Sequence, residues 1–261
     1  MHPILHILGR EVSAYFLCTV IAALTASALA LPALHRAGLR TARAAALLGI
    51  MCAAFLVGAR LWNVAVNPAN FAGALKWYSL RLAGLSLYGG LLGAGAALAA
   101  VLHLWKKPIL PALDAMVVPG GVAFCIARVG CFLNGCCAGR ATRCPLGIAF
   151  PSKEAAQNLL GGYLPFLSAV RTVHPTQLYE LAGAALGLPL ILLLVRHFRA
   201  RQGTAFFLYA AWFSAVRLMV LPLRALSYAG AVKTVIYPLL YLSVILLGVI
   251  IPIWQRRRAS K

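Results

Sequence analysis

Apolar runs of about twenty residues recur along this chain, separated by short connections that carry most of its charge. A bilayer core of about 30 Å takes roughly 20 apolar residues per helix. Seven stretches reach that length: Val12–Leu34, Ala44–Val66, Leu85–Trp105, Leu113–Leu133, Leu178–Val195, Thr204–Leu221 and Val232–Trp254. They predict an all-α integral membrane protein, one polytopic domain over residues 1–261 with a long loop at about 134–177. Composition agrees: 62% of residues are hydrophobic and only 11% charged, against about 25% charged in soluble domains. The net charge of +20 invites a nucleic-acid reading. A mean hydropathy of +0.88 argues instead for positively flanked membrane spans.

The connections give an orientation. Those after the first, third, fifth and seventh runs are short and hold twelve basic residues, among them Arg36, Arg40, Lys106, Arg199 and Arg256–Arg258, and no acid. The opposite side holds nine, spread over far more chain. The basic bias of short loops places them inside, so the N-terminus is expected outside and the C-terminus in the cytoplasm. The first run carries its charge after its apolar stretch rather than before it, unlike a signal peptide. It is therefore expected to be retained.

Ionisable residues inside a span cost about 2.5–3.5 kcal/mol on insertion scales. Arg60, Arg128 and Arg217 fall inside spans, and only Glu11, Asp114, Glu154 and Glu180 exist to neutralise them. Arg stays protonated and offers a planar fork of donors that suits phosphate. One such Arg alone is more simply read as reaching the interface or bonding helix-end carbonyls. Arg128 and Arg217 together favour an anion site. Arg217 lies about 20 Å along its helix from the inner end at 1.5 Å per residue, and Arg224 follows seven residues later, on the same helical face unless Pro222 bends the chain. That depth matches the head groups of the outer leaflet.

Three segments are too polar and too patterned for span ends: Leu85-Ser-Leu-Tyr-Gly-Gly90, Arg128-Val-Gly-Cys-Phe-Leu-Asn-Gly-Cys-Cys-Ala-Gly-Arg140 and His174-Pro-Thr-Gln-Leu-Tyr-Glu180. In this order on seven spans, with Tyr15, Gly58-Ala-Arg60, Arg217 and Arg224, they resemble the bacterial prolipoprotein diacylglyceryl transferase family. The resemblance implies an inner-membrane transferase. It would move the diacylglyceryl group of phosphatidylglycerol, or a similar anionic phospholipid, onto the thiol of a lipoprotein precursor's N-terminal lipobox cysteine. Nucleic acid, cofactor and metal have no place in that reading. The resemblance points to Arg128 and Arg217 for the phosphate, with Tyr15, Arg60, Asn134, Gly139, Gln177, Tyr179, Glu180 and Arg224 binding substrate. The chain departs from the family at Tyr88, where His is usual, and at Cys131, Cys136 and Leu221, where Asn, Glu and an acid are usual.

The chemistry needs a base for the substrate thiol. His174 has the right range for proton abstraction near neutrality, although a His before Pro often only holds a turn. Tyr88 is a poor base unless cations act on it and is otherwise a hydrogen-bond donor. Glu180 is expected to orient His174 or to pair with an Arg. Cys131, Cys136, Cys137 and Cys144 cluster in sequence near the outer side. Three readings stay open: a disulfide between Cys136 or Cys137 and Cys144, preferred; a nucleophile at Cys136; and a metal site, which the absence of a C-x-x-C pair opposes. Two rival functions stay open too: a related phospholipid-dependent transferase with a different acceptor, and a non-enzymatic lipid or anion transporter.

Overall fold

A computed structural model describes residues 4–7, 10–71, 76, 78, 84–149, 172–226 and 228–259 of the chain. A short antiparallel hairpin, β1 (Ile4–Ile7) and β2 (Arg10–Ser13), precedes helix α1 (Ala14–Arg36). Then come α2 (Thr41–Val66), α3 (Leu87–Leu104), α4 (Ile109–Ala115) and α5 (Val117–Leu133). A two-residue ladder pairs β3 (Ile148–Ala149) with β4 (Thr172–Val173) before α6 (Thr176–His197), α7 (Thr204–Val220) and α8 (Tyr237–Ala259). Much of the long loop expected at 134–177, including Glu154, lies outside the described residues.

Seven helical segments among the described residues are long and apolar enough to cross a membrane. Their ends differ from the sequence-based spans by a few residues at most. Two interiors differ more. The fourth span, Ile109–Leu133, is not one helix, since Met116 ends α4 and opens α5. The seventh begins with a single π-helical turn, Val232–Ile236.

Leucines and isoleucines such as Leu24, Leu186, Leu193 and Ile250 face outward, as lipid contact requires. With lipid as apolar as leucine, helix association rests on close packing of small residues. A Cβ on Gly58 would run into the Gly89 carbonyl oxygen, and one on Gly93 into that of Ala54. Glycines thus let α2 and α3 touch backbone to backbone. The row continues with α2 on α1, α1 on α5, α5 on α6, α6 on α7 and α7 on α8. Tyr88 at the start of α3 reaches Ser214 of α7 and Tyr241 of α8, closing the row into a ring at one end.

The two ends differ in chemistry. At the basic-turn end, Leu34, Leu39, Leu47, Leu98 and Leu102 form a fully buried cluster. There the Asp114 carboxylate accepts from the amides of Gly203 (2.5 Å) and Phe206 (2.9 Å), capping the otherwise unsatisfied first turn of α7. Asp114 is therefore committed far from the spans' basic residues. The other end, where α1, α3, α6 and α8 begin, collects the buried polar side chains.

Candidate active site

Glu180 sits in the first turns of α6 and is 1% exposed. Its carboxylate receives three guanidinium groups. Arg128 Nε, from α5, lies 2.9 Å from Oε2. Arg217 Nη1, from the last turn of α7, lies 3.0 Å from both oxygens. Arg224 Nη1 lies 3.3 Å from Oε1. Three cations on one anion leave a formal charge of +2 at the end of a membrane bundle. A buried charge without a partner is costly, and the single carboxylate binds the cluster while leaving an electrostatic demand for a further anion. The Arg128 guanidinium also lies 4.8 Å above the Phe124 ring, and that of Arg217 5.6 Å from the Tyr88 ring.

Arg217 and Arg224 do not share a helical face. The α7 helix ends at Val220, Leu221–Leu223 form a 3-10 turn containing Pro222, and Arg224 is extended (φ −79°, ψ 139°). Pro222 has no amide hydrogen to continue the ladder, so the chain leaves the helix and Arg224 returns to Glu180 from outside it. Nor does Glu180 orient His174. The imidazole Nδ1 is 3.3 Å from the Tyr179 hydroxyl, while the carboxylate is taken up by arginines.

A strap over residues 134–140 holds this geometry. Beyond α5, Gly135 (φ +73°) and Cys137 (φ +61°) reverse the chain; the second conformation is uncommon for a residue with a Cβ. The carbonyls of Cys136 and Cys137 then accept from Gln177 Nε2 (2.6 Å) and Thr176 Oγ1 (2.8 Å) at the entry of α6. Gly139 N donates to His174 O, and Arg140 N to Leu223 O, both at 2.8 Å. A Cβ on Gly139 would lie 2.6 Å from both His174 Cβ and Leu223 O, so a side chain there would part the strap from α6 and α7. The strap thereby registers Glu180 against Arg224.

Asn134 is 3% exposed, and neither its amide nitrogen nor its oxygen has a partner among the described residues. Gln177 Oε1, Asn63 Oδ1 and Asn67 Nδ2 are in the same condition. Buried polar atoms are rarely left so. Asn63, Asn67, Cys137, Arg224 and Tyr228 line a cavity of about 170 Å³. Sequence reasoning missed Asn63 and Asn67, although two amides four residues apart on a span end were a readable signal. It also missed Ser214, three residues from Arg217 on α7, whose hydroxyl is 3.1 Å from that of Tyr88, and Thr176. Arg60 is buried but stands apart from the arginine trio, over the Phe71 ring at 5.7 Å. Tyr15 is half-buried beside Cys131, Cys136 and Cys137.

All seven cysteines are free thiols. No bond joins Cys136 or Cys137 to Cys144, the pairing preferred from sequence; Cys144 instead turns its amide to Thr142 Oγ1 at 3.0 Å. The strap's reversal gathers Cys131, Cys136 and Cys137, with all three sulfurs within 4.8 Å of one another. Hydrogen bonding from the Cys131 and Cys136 thiols, with the nearby Arg128 and Arg224 cations, draws the Cys137 thiol well below its ordinary pKa. The same hydrogen bonds, together with burial, push Cys136 well above.

Comparison with known proteins gives a consistent result. The sequence profile of the family described as prolipoprotein diacylglyceryl transferase matches residues 3–257. A phosphatidylglycerol–prolipoprotein diacylglyceryl transferase of Clostridium tetani (strain Massachusetts / E88) is 32% identical over 143 residues, covering 54% of this chain and 52% of the relative. One from Cereibacter sphaeroides (strain ATCC 17029 / ATH 2.4.9) is 32% identical over 170 residues, 63% of this chain and 56% of the relative. One from Roseobacter denitrificans (strain ATCC 33942 / OCh 114) is 38% identical over 112 residues, 41% and 35%. The matched stretch spans about half the length of the first two relatives.

Proposed function

We propose that this chain, which belongs to the prolipoprotein diacylglyceryl transferase family, transfers the diacylglyceryl group of phosphatidylglycerol to a cysteine thiol of a lipoprotein precursor. The observation that carries the proposal is the surplus of two positive charges held around Glu180, beside a cavity that Arg224 lines. The substrate thiolate attacks the glycerol carbon, the bond from that carbon to the phosphate oxygen breaks, and glycerol phosphate leaves. Negative charge grows on the departing phosphate. Preorganised guanidinium groups in a site with little water stabilise such charge strongly, each donor contributing on the order of 10²–10³ in rate. Arg128 and Arg217 take this role from the helices and Arg224 from the rim.

The thiol's proton goes to His174, whose ring is steadied by Tyr179 and whose backbone is bonded to Gly139. The Tyr88 hydroxyl, engaged with Ser214 beneath Arg217, donates to phosphate or ester oxygen rather than accepting a proton. Asn134, Gln177 Oε1, Asn63 Oδ1 and Asn67 Nδ2 offer amide atoms without partners among the described residues to the lipid head group and glycerol backbone. The acceptor is a precursor with an N-terminal lipobox cysteine. The enzyme works at the outer leaflet of the bacterial inner membrane, with the short basic connections in the cytoplasm.

The test combines purified protein, phosphatidylglycerol vesicles and a lipobox peptide, read by mass spectrometry. The expected result is a gain of one diacylglyceryl unit at the peptide cysteine, lost in Arg128→Ala and Arg217→Ala. Lipid turnover with an unmodified peptide would overturn the acceptor. Full activity in both variants would overturn the site.

A further inference from the structure

We propose that Cys131, Cys136 and Cys137 form a three-thiolate site for a soft monovalent cation of the copper(I) class. The site stands on its own geometry and does not depend on the transferase reading. The C-x4-C-C spacing of these residues fits no familiar zinc pattern, which is why spacing argued against a metal. The fold removes that objection. Cys131 ends α5, and the chain reversal at Gly135 and Cys137 turns the next two sulfurs back toward it, so that all three lie within 4.8 Å of one another.

A thiolate–metal bond of about 2.3 Å in a trigonal plane sets sulfurs about 4.0 Å apart. The trio therefore needs to contract by less than about 1 Å, a side-chain rotation rather than a backbone change. The backbone is already fixed by Thr176 and Gln177 on the Cys137 and Cys136 carbonyls. Among the described residues the group contains no histidine or carboxylate. Three sulfurs without a fourth ligand suit copper(I) better than zinc, which takes four in structural sites. Cys131 is buried and Cys137 exposed, giving the ion a way in.

Charge decides the class of ion further. Binding leaves all three sulfurs as thiolates, the protons of the Cys131 and Cys136 thiols passing to water with no oxidation, and gives a complex of charge −2. The adjoining Arg128, Arg217, Arg224 and Glu180 cluster carries +2, and Arg128 Nη1 is 3.9 Å from Cys131 Sγ. Guanidinium groups that would repel a bare cation thus stabilise the anionic complex. Because Arg128 serves both, an occupied thiolate site competes with an anionic lipid head group for the same charge.

The test titrates reduced, full-length protein in detergent, without oxygen, with copper(I) against a chromophoric copper(I) chelator. One equivalent per chain withheld from the chelator is expected. A variant carrying Cys18→Ser, Cys52→Ser, Cys125→Ser and Cys144→Ser should keep it, and one carrying Cys131→Ser, Cys136→Ser and Cys137→Ser should lose it. On the unaltered protein, copper(I) should shield these three thiols from iodoacetamide and leave Cys144 reactive, a readout that needs no variant to fold. Copper surrendered wholly to the chelator, an equivalent retained by the variant lacking the trio, or shielding that maps to other cysteines would overturn the proposal.

Discussion

Glu180→Gln isolates the electrostatic logic of the site. The substitution keeps the volume and one carbonyl acceptor but removes the carboxylate charge that Arg128, Arg217 and Arg224 share among the described residues. The cluster goes from a formal +2 to +3 at a position that is 1% exposed. Breaking a buried ion pair from one side costs about 3–5 kcal/mol, out of a typical total of 5–15 kcal/mol. At roughly 2–4 °C per kcal/mol for a chain of this size, the melting temperature in detergent should fall by roughly 6–20 °C. Arg224→Gln should behave oppositely in sign of charge: it lowers the surplus to +1 and removes the longest and most exposed of the contacts, at 3.3 Å and 11%. Its cost should be clearly smaller than that of Glu180→Gln, because the carboxylate keeps Arg128 and Arg217. Phosphatidylglycerol should raise the melting temperature of Glu180→Gln more than that of the parent, because the lipid anion replaces the lost charge. Intrinsic fluorescence during heating measures all three. Equal damage from the two substitutions, or a Glu180→Gln melt within about 2 °C of the parent, would mean that the Glu180 charge does not hold the three arginines together.

Other consequences follow from single contacts. Gly139→Ala places a methyl against His174 and Leu223 O, and overpacking of this kind costs about 1–3 kcal/mol, visible as a lower melting temperature together with lost transfer. Asp114→Asn weakens the cap on α7 by about 1 kcal/mol, read in the same melt, and should leave transfer at the distant site intact. Cys137, held toward its thiolate by its thiol neighbours and by arginines, should alkylate at a rate that barely falls as pH drops through the ordinary thiol range near about 8.5. A free cysteine peptide loses about tenfold per unit below that value, and peptide mapping after timed iodoacetamide exposure compares the two. A Cys137 profile that tracks the peptide would remove the assigned shift.

How much was readable in advance differs by element. The spans were, because insertion depends on apolar residues summed over a contiguous window, and a window is a property of sequence. Arg128 and Arg217 were visible because a guanidinium in such a window needs a reason. The break at Met116 was not, since the residues on either side are equally apolar and only the packing of α4 and α5 distinguishes them. Arg224 was read onto the helical face of Arg217, yet it arrives after a 3-10 turn; a proline marks an interruption without stating where the chain goes next. The cysteines show the same limit. Their spacing suggested a bond to Cys144, whereas the reversal at Gly135 selected the near neighbours instead.

The order of apolar runs along the chain alone indicated a multi-pass membrane protein with seven candidate spans, and that its few buried charges had to meet counterparts. It could not say which counterparts. One acid was left near three bases, and their union on Glu180 depends on the rotation of α5, α6 and α7 about their own axes and on a strap drawn across their ends. Those are relations between segments far apart in the chain. Their free energy resides in packing and charge across the gap, so only the assembled bundle decides them.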